Sequence, residues 1–180
     1  MRKIIFIDRD GVINVDPIGD YIKRWEDFKF EKGALEALRQ ISGAGYEIIL
    51  ISNQAGVGDG IFQESAFQNI HENMMRVLTE NKIRILSSHF CLHGKNAGCK
   101  CRKPEIGLFL EATKNLEFNK QNTYFIGDKA TDIEAGKRFG LKTIFVLTGH
   151  GKNDQSQLKG KLIPDHMADS LQDALRFLIP

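Results

Sequence analysis

The sequence predicts an α/β fold, a doubly wound three-layer sandwich with a mainly parallel sheet, and three observations predict it. Short β-branched and aliphatic runs alternate with segments of helical periodicity. Several of these runs are almost wholly apolar, as strands buried on both faces of a parallel sheet are. Acidic, basic and amide residues follow the runs directly, which suits a fold whose ligands gather at the carboxyl ends of its strands. The 180 residues fit one domain, 1–180. With 42% hydrophobic and 27% charged residues, the chain is neither disordered nor collagen-like.

The first strand is the run Ile4–Ile7, cut off by Asp8, Arg9 and Asp10. It is too short for a signal peptide, and no later stretch approaches the ~18 apolar residues of a membrane span. A soluble, cytoplasmic protein without membrane contact is expected. A first helix over 33–42 carries Leu35, Leu38 and Ile41 and ends near Gly43 and Gly45. Glu47–Ser52 is the second strand. The next helix, Glu64–Glu80, spaces Phe67, Ile70, Met74, Val77 and Leu78 by three and four residues. Ile83–Cys91 is the third strand, and a third helix opens at Pro104, a residue tolerated in a first turn.

Tyr124–Gly127 is the fourth strand. Thr131 and Glu134 have capping-box spacing at the start of a fourth helix that Gly140 closes. Thr143–Leu147 is the fifth strand, residues 149–161 form a long polar loop, and an amphipathic helix over 171–178 follows Ser170. Trp25, Phe28 and Phe30 read as a packing cluster, and His71, His89 and His166 as structural or solvated. His150, after the fifth strand, has the reach to approach a pocket mouth.

The chemistry collects at strand ends. Asp8 and Asp10, one residue apart on an extended segment, project to one side with Arg9 pointing away. Two such carboxylates repel unless a cation sits between them. Asp128, arriving from a neighbouring strand, completes an all-oxygen set suited to Mg²⁺. Ser52, Asn53 and Lys103 add donors beside it, a combination fit for phosphoryl transfer, with an aspartyl-phosphate as a covalent route.

A second constellation, Cys91-x-His93-x5-Cys99-x-Cys101, offers three thiolates and one imidazole to a closed, structural zinc site over the loop 91–101. Its GKNAG spacer has no apolar residue with which to hold itself. Three crowded cysteines make a poor disulfide framework. With 25 basic against 23 acidic residues, the net charge of +2 excludes a strong pull toward nucleic acid.

FIDRDGV, ISNQAG, CRKP and FIGDKATD, in that order, resemble the four motifs of the haloacid dehalogenase superfamily of phosphatases. Alone, the DxD would read as a solvated turn; four ordered motifs override that. The resemblance implies Asp8 as nucleophile and Mg²⁺ ligand, and Asp10 as general acid and then base, its carbonyl a further Mg²⁺ ligand. Ser52 would bind the phosphoryl group, Lys103 would neutralise it and orient Asp8, and Asp128 would hold the metal. Asp132 would take a supporting role behind these ligands, or simply complement the dipole of its helix.

With the cysteine loop, the chain resembles the cap-less subgroup that holds heptose 1,7-bisphosphate 7-phosphatases and histidinol phosphatases. That implies a monomer acting on a small phosphorylated metabolite, the 7-phosphate of D-glycero-D-manno-heptose 1,7-bisphosphate first and histidinol phosphate as the alternative. Arg102 would contact distal groups of the substrate, with Asn53 and Gln54 at the same entrance. Asp59 stands where heptose enzymes often carry arginine. The GKNAG spacer and His71–Met75 look more like the histidinol branch. A phospho-accepting signalling domain and a DNA-end phosphatase are the remaining readings.

Overall fold

A computed structural model describes residues 2–179. Six strands form one sheet: β1 (Lys3–Ile7), β2 (Tyr46–Asn53), β3 (Ile85–Cys91), β4 (Tyr124–Gly127), β5 (Lys142–Val146) and β6 (His166–Ala168). Their order is β3-β2-β1-β4-β5-β6 and every pairing is parallel. Among the described residues, seven α-helices accompany them: α1 (Ala34–Gly43), α2 (Ala55–Gly58), α3 (Glu64–Glu80), α4 (Gly107–Thr113), α5 (Ala130–Phe139), α6 (Gly151–Asp154) and α7 (Leu171–Ala174). The predicted doubly wound sandwich is borne out. No described helix is long and apolar enough to cross a membrane.

The apolar runs are explained by two cores. Ile5, Ile7, Ile48, Leu50, Ile126 and Ile144 face one side, under residues of α1, α3 and α7. Ile4, Phe6, Ile49, Ile51 and Phe125 face the other, against Leu108 and Phe109 of α4 and Ala135 and Phe139 of α5. Both parities of the central strands β1, β2 and β4 are thus buried, each large side chain contributing roughly 1.5–3 kcal/mol by leaving water. Phe109 anchors the second core, its ring centroid 5.1 Å from those of Phe125 and Phe139 and 5.3 Å from that of Phe6.

Strand order reverses between β1 and β4. That crevice, where successive connections diverge, is where open α/β sheets bind ligands. Asp8 follows β1 and Asp128 follows β4, on its two sides. Residues 8–33 hold only isolated bridges (Asp10–Asn14, Asn14–Phe30) and one 3-10 turn, Trp25–Asp27, so no cap domain stands over the crevice among the described residues.

Several local expectations are corrected. The third helix opens at Gly107, not Pro104, because residues 102–105 make a turn, with Glu105 N–H donating to Arg102 O. The fourth helix starts at Ala130 rather than at Thr131: Lys129 is extended, and its N–H donates to the Asp132 carboxylate at 3.0 Å. Gly140 does close it, at φ +88°. Residues 149–161 are not a plain loop but α6 followed by 3-10 turns at Gln155–Gln157 and Gly160–Leu162. The last helix is α-helical only over Leu171–Ala174 and continues as a 3-10 turn. The strand β6 was not expected at all.

Candidate active site

The strand ends bring the polar residues together. Asp8, Asp10, Ser52, Asn53, Gln54, Arg102, Lys103 and Asp132 line one cleft of about 660 Å³. Asp128, fully buried, stands close behind: carboxylate oxygens of Asp8, Asp128 and Asp132 lie within 4.8 Å of one another. Lys103 is threaded into this group. Its Nζ sits 3.0 Å from Asp8 Oδ2 and 2.7 Å from Asp132 Oδ1, and donates to Ile51 O at 2.9 Å. The Asn53 amide grips the Lys103 backbone from both sides, accepting its N–H at 3.0 Å and donating to its carbonyl at 3.2 Å. Asn53 therefore presents Lys103 as well as lining the entrance.

The electrostatics call for a cation. Burial, and the Asp132 carboxylate with it, push Asp8 above the ordinary carboxylate range against the pull of Lys103 and Lys129. The same causes push Asp128 well above it, opposed by Lys129. Burial works against the charge of Lys103, yet Asp132 and Asp8 outweigh it and raise the lysine. Oδ1 of Asp128 is buried with no hydrogen-bond partner, while Oδ2 accepts His150 N–H at 2.7 Å. An orphaned carboxylate oxygen among hard oxygen donors fits Mg²⁺, which would compete with protons for these groups.

Two glycines make room for this arrangement. Gly11 (φ +83°) and Gly149 (φ +53°) flank Asp128, and a Cβ on either would collide with its Oδ2. Gly11→Ala should therefore leave a folded protein, at about 1–2 kcal/mol of backbone cost, while displacing the Asp128 carboxylate. Half-maximal activation should need at least about tenfold more Mg²⁺, since a shift of an ångström suffices for such losses. Circular dichroism together with a Mg²⁺ titration of activity checks this.

Asp10 differs from Asp8. Its carboxylate takes no part in the three-carboxylate group but accepts from Arg9, from Asn14 Nδ2 at 2.9 Å and from Gln54 Nε2 at 2.5 Å. Burial alone would raise it, but the Arg9 charge and these amides hold it below the usual range. Its main-chain carbonyl is left as the donor through which it could reach a metal. The expectation that Arg9 points away is wrong: the side chain curls back onto Asp10, drawn by that carboxylate and by Gln54 Oε1 at 2.8 Å. Gln54, 3% exposed, accordingly braces Asp10 from the cleft wall.

At the mouth stand Asp16 and Lys129, neither expected from the sequence, beside His150. Asp16 Oδ2 accepts from Lys129 Nζ at 2.9 Å and lies 3.2 Å from His150 Nε2, tying the 8–33 segment to the loops after β4 and β5. Lys129 is raised despite burial, by Asp128 and Asp16. His150 does line the cleft. Lys129 directly follows Asp128, a placement readable from sequence; Asp16 gave no such signal. The other histidines pack elsewhere: His71 against Phe67 and Phe90, His166 on Phe177, and His89 beside Glu111.

The cysteine loop closes as the spacing implied. Cys91, His93, Cys99 and Cys101 converge, with Sγ–Sγ separations of 3.0–3.5 Å and His93 Nδ1 3.1 Å from Cys101 Sγ. Burial and the Cys101 hydrogen bond push Cys91 up to about 12. Cys99 lies at about 7, where the Arg102 N–H and the neighbouring thiols overcome burial. Four soft donors at tetrahedral spacing suit Zn²⁺. Asp59 is accounted for by this loop, since its Oδ1 accepts the Lys95 N–H at 3.1 Å.

A HAD-hydrolase-like family model matches residues 100–174. Proteins named D-glycero-beta-D-manno-heptose-1,7-bisphosphate 7-phosphatase are similar over nearly the whole chain. That of Haemophilus influenzae is 35% identical over 99% of this chain and 97% of its own, and that of Pasteurella multocida 34% over 94% and 95%. Among solved structures, D,D-heptose 1.7-bisphosphate phosphatase from B. bronchiseptica, complexed with magnesium and phosphate, superposes with a TM-score of 0.92, at 27% identity and 98% coverage of both chains. The chain belongs to the haloacid dehalogenase-like hydrolases. Within them, its sequence groups with the heptose bisphosphate phosphatases.

Proposed function

We propose that the protein is a Mg²⁺-dependent phosphomonoesterase, one domain over 1–180, that removes the 7-phosphate of D-glycero-D-manno-heptose 1,7-bisphosphate. The observation that carries this is the buried Lys103 bridging Asp8 and Asp132 beside a partnerless Asp128 oxygen. Asp8, Asp128 and the Asp10 carbonyl would hold the metal, whose charge would neutralise the phosphoryl oxygens.

Asp8 is oriented from both ends, Oδ1 by the Arg9 N–H at 2.7 Å and Oδ2 by Lys103. Its carboxylate attacks phosphorus, an O–P bond forms, and the ester P–O bond breaks. Asp10 gives its proton to the departing sugar oxygen; the incoming phosphate charge favours the protonated form that this step needs. Asp10 then takes a proton from water, which attacks phosphorus and frees Asp8 and inorganic phosphate. Ser52, 1% exposed beside Asp8, binds the phosphoryl group in transit. Asp132 holds Lys103 in place, and the Zn²⁺ loop holds Arg102.

The substrate follows from the wall that this loop supplies. Arg102 and Lys95 line the cleft and have no carboxylate partner among the described residues. Such a wall suits a second phosphate and opposes the ammonium of histidinol phosphate. Phosphate release with Mg²⁺ should give the heptose bisphosphate the highest kcat/KM in a panel that includes histidinol phosphate and hexose bisphosphates. A higher value for histidinol phosphate would overturn the substrate, and no release from any phosphomonoester would overturn the reaction.

A further inference from the structure

We propose that Arg9 is a positioning residue for proton transfer: its guanidinium aims the Asp10 carboxyl at the leaving oxygen. The inference rests on the phosphatase reading and on the role given there to Asp10.

Arg9 is 2% exposed, yet its charge meets a single carboxylate among the described residues, that of Asp10. Nε donates to Oδ1 at 3.1 Å, and Nη2 donates to Oδ1 at 2.8 Å and to Oδ2 at 2.9 Å. Nη2 also donates to Gln54 Oε1 at 2.8 Å, and Gln54 Nε2 returns a hydrogen bond to Asp10 Oδ2, so the three side chains close a ring. The guanidinium lies 5.8 Å from the Phe67 ring centroid, against the core face of α3.

Stability accounts poorly for this pair, because burying two charges costs about what their attraction returns. The turn at Arg9 uses only its main chain, the carbonyl accepting the N–H groups of Val12, Ile13 and Asn14 and the N–H donating to Asp8 Oδ1, so it calls for no particular side chain. What the fork supplies, and a lysine would not, is a fixed plane for the carboxylate.

A sugar oxygen leaves only as it takes the Asp10 proton while the P–O bond breaks, whereas 4-nitrophenolate leaves unprotonated. Misaiming Asp10 should therefore penalise one ester and spare the other. With enzyme in excess, leaving-group release is measured from the heptose 1,7-bisphosphate and from 4-nitrophenyl phosphate. Arg9→Met should slow the first at least about 30-fold and the second less than about threefold. Arg9→Lys keeps the buried charge without the fork and safeguards the fold; it should show the same selective loss, at least about fivefold. A structural defect would slow both esters alike. Equal losses in an enzyme whose wild type is active overturn this inference alone. A wild type inactive on both esters overturns the phosphatase reading, and the inference with it.

Discussion

Asp8→Asn is expected to lower kcat on the order of 10⁴-fold or more, since in the proposed mechanism Asp8 alone supplies the attacking oxygen. The same change should not unfold the protein. Burial and the Asp132 carboxylate oppose the Asp8 charge in the metal-free fold and raise its pKa. Removing that charge relieves repulsion in the group formed with Asp128 and Asp132, and Lys103 keeps Asp132 as partner at 2.7 Å. The metal-free Tm should therefore stay level or rise while turnover disappears. Steady-state phosphate release and thermal unfolding on the same preparation check both halves. Near-normal turnover would refute the nucleophile.

Loss of the proposed zinc is expected to be the second large effect. The loop from Leu92 to Lys100 offers little apolar surface, so its order should depend on the four ligands, and closed zinc sites contribute folding energy outright. It is also joined to the catalytic residues. The Cys91 carbonyl accepts the Gln54 N–H at 2.8 Å, and Cys101 lies two residues before Lys103. Cys101→Ser, which keeps the shape but loses the thiolate, should cost several kcal/mol of stability, on the order of the metal's contribution to such sites, and most of the activity. Elemental analysis should fall from about one zinc per chain to a small fraction of that. Unchanged Tm and kcat in a zinc-free protein would show that the cluster does not support the site.

Most of the fold was legible because its strands are buried on both faces, which leaves apolar runs unbroken by alternation. The strand β6 was not, since His166-Met-Ala168 carries no β-branched residue and pairs only with β5. The helix α6 was equally hidden in a polar segment. It starts where Gly151 sits against the Val146 carbonyl, a close approach that only the fold reveals. Of the site, Asp8, Ser52, Asn53 and Asp128 were legible at strand ends, and Arg102 and Lys103 through their motif. Lys129, Asp16 and the turn of Arg9 were not foreseen: Lys129 carries no signal beyond its place after Asp128, Asp16 arrives on a segment without period, and Arg9 folds back on its own neighbour. The N-terminus of α5 was misplaced because Thr131 and Glu134 matched a capping pattern, whereas Asp132, tied to Lys103, does the capping of Lys129 instead.

In the proposed reaction Asp8 carries the phosphoryl group in transit. Cleavage after Lys3 and Arg9 yields the peptide Ile4–Arg9, in which Asp8 is the sole carboxylate side chain. Acid quenching of Asp10→Asn protein, mixed with Mg²⁺ and phosphorus-labelled 4-nitrophenyl phosphate, whose leaving group departs without the Asp10 proton, should trap the label on this peptide in a form that hydroxylamine releases. Label confined to any other peptide, with rapid hydrolysis still running in the wild type, would contradict it.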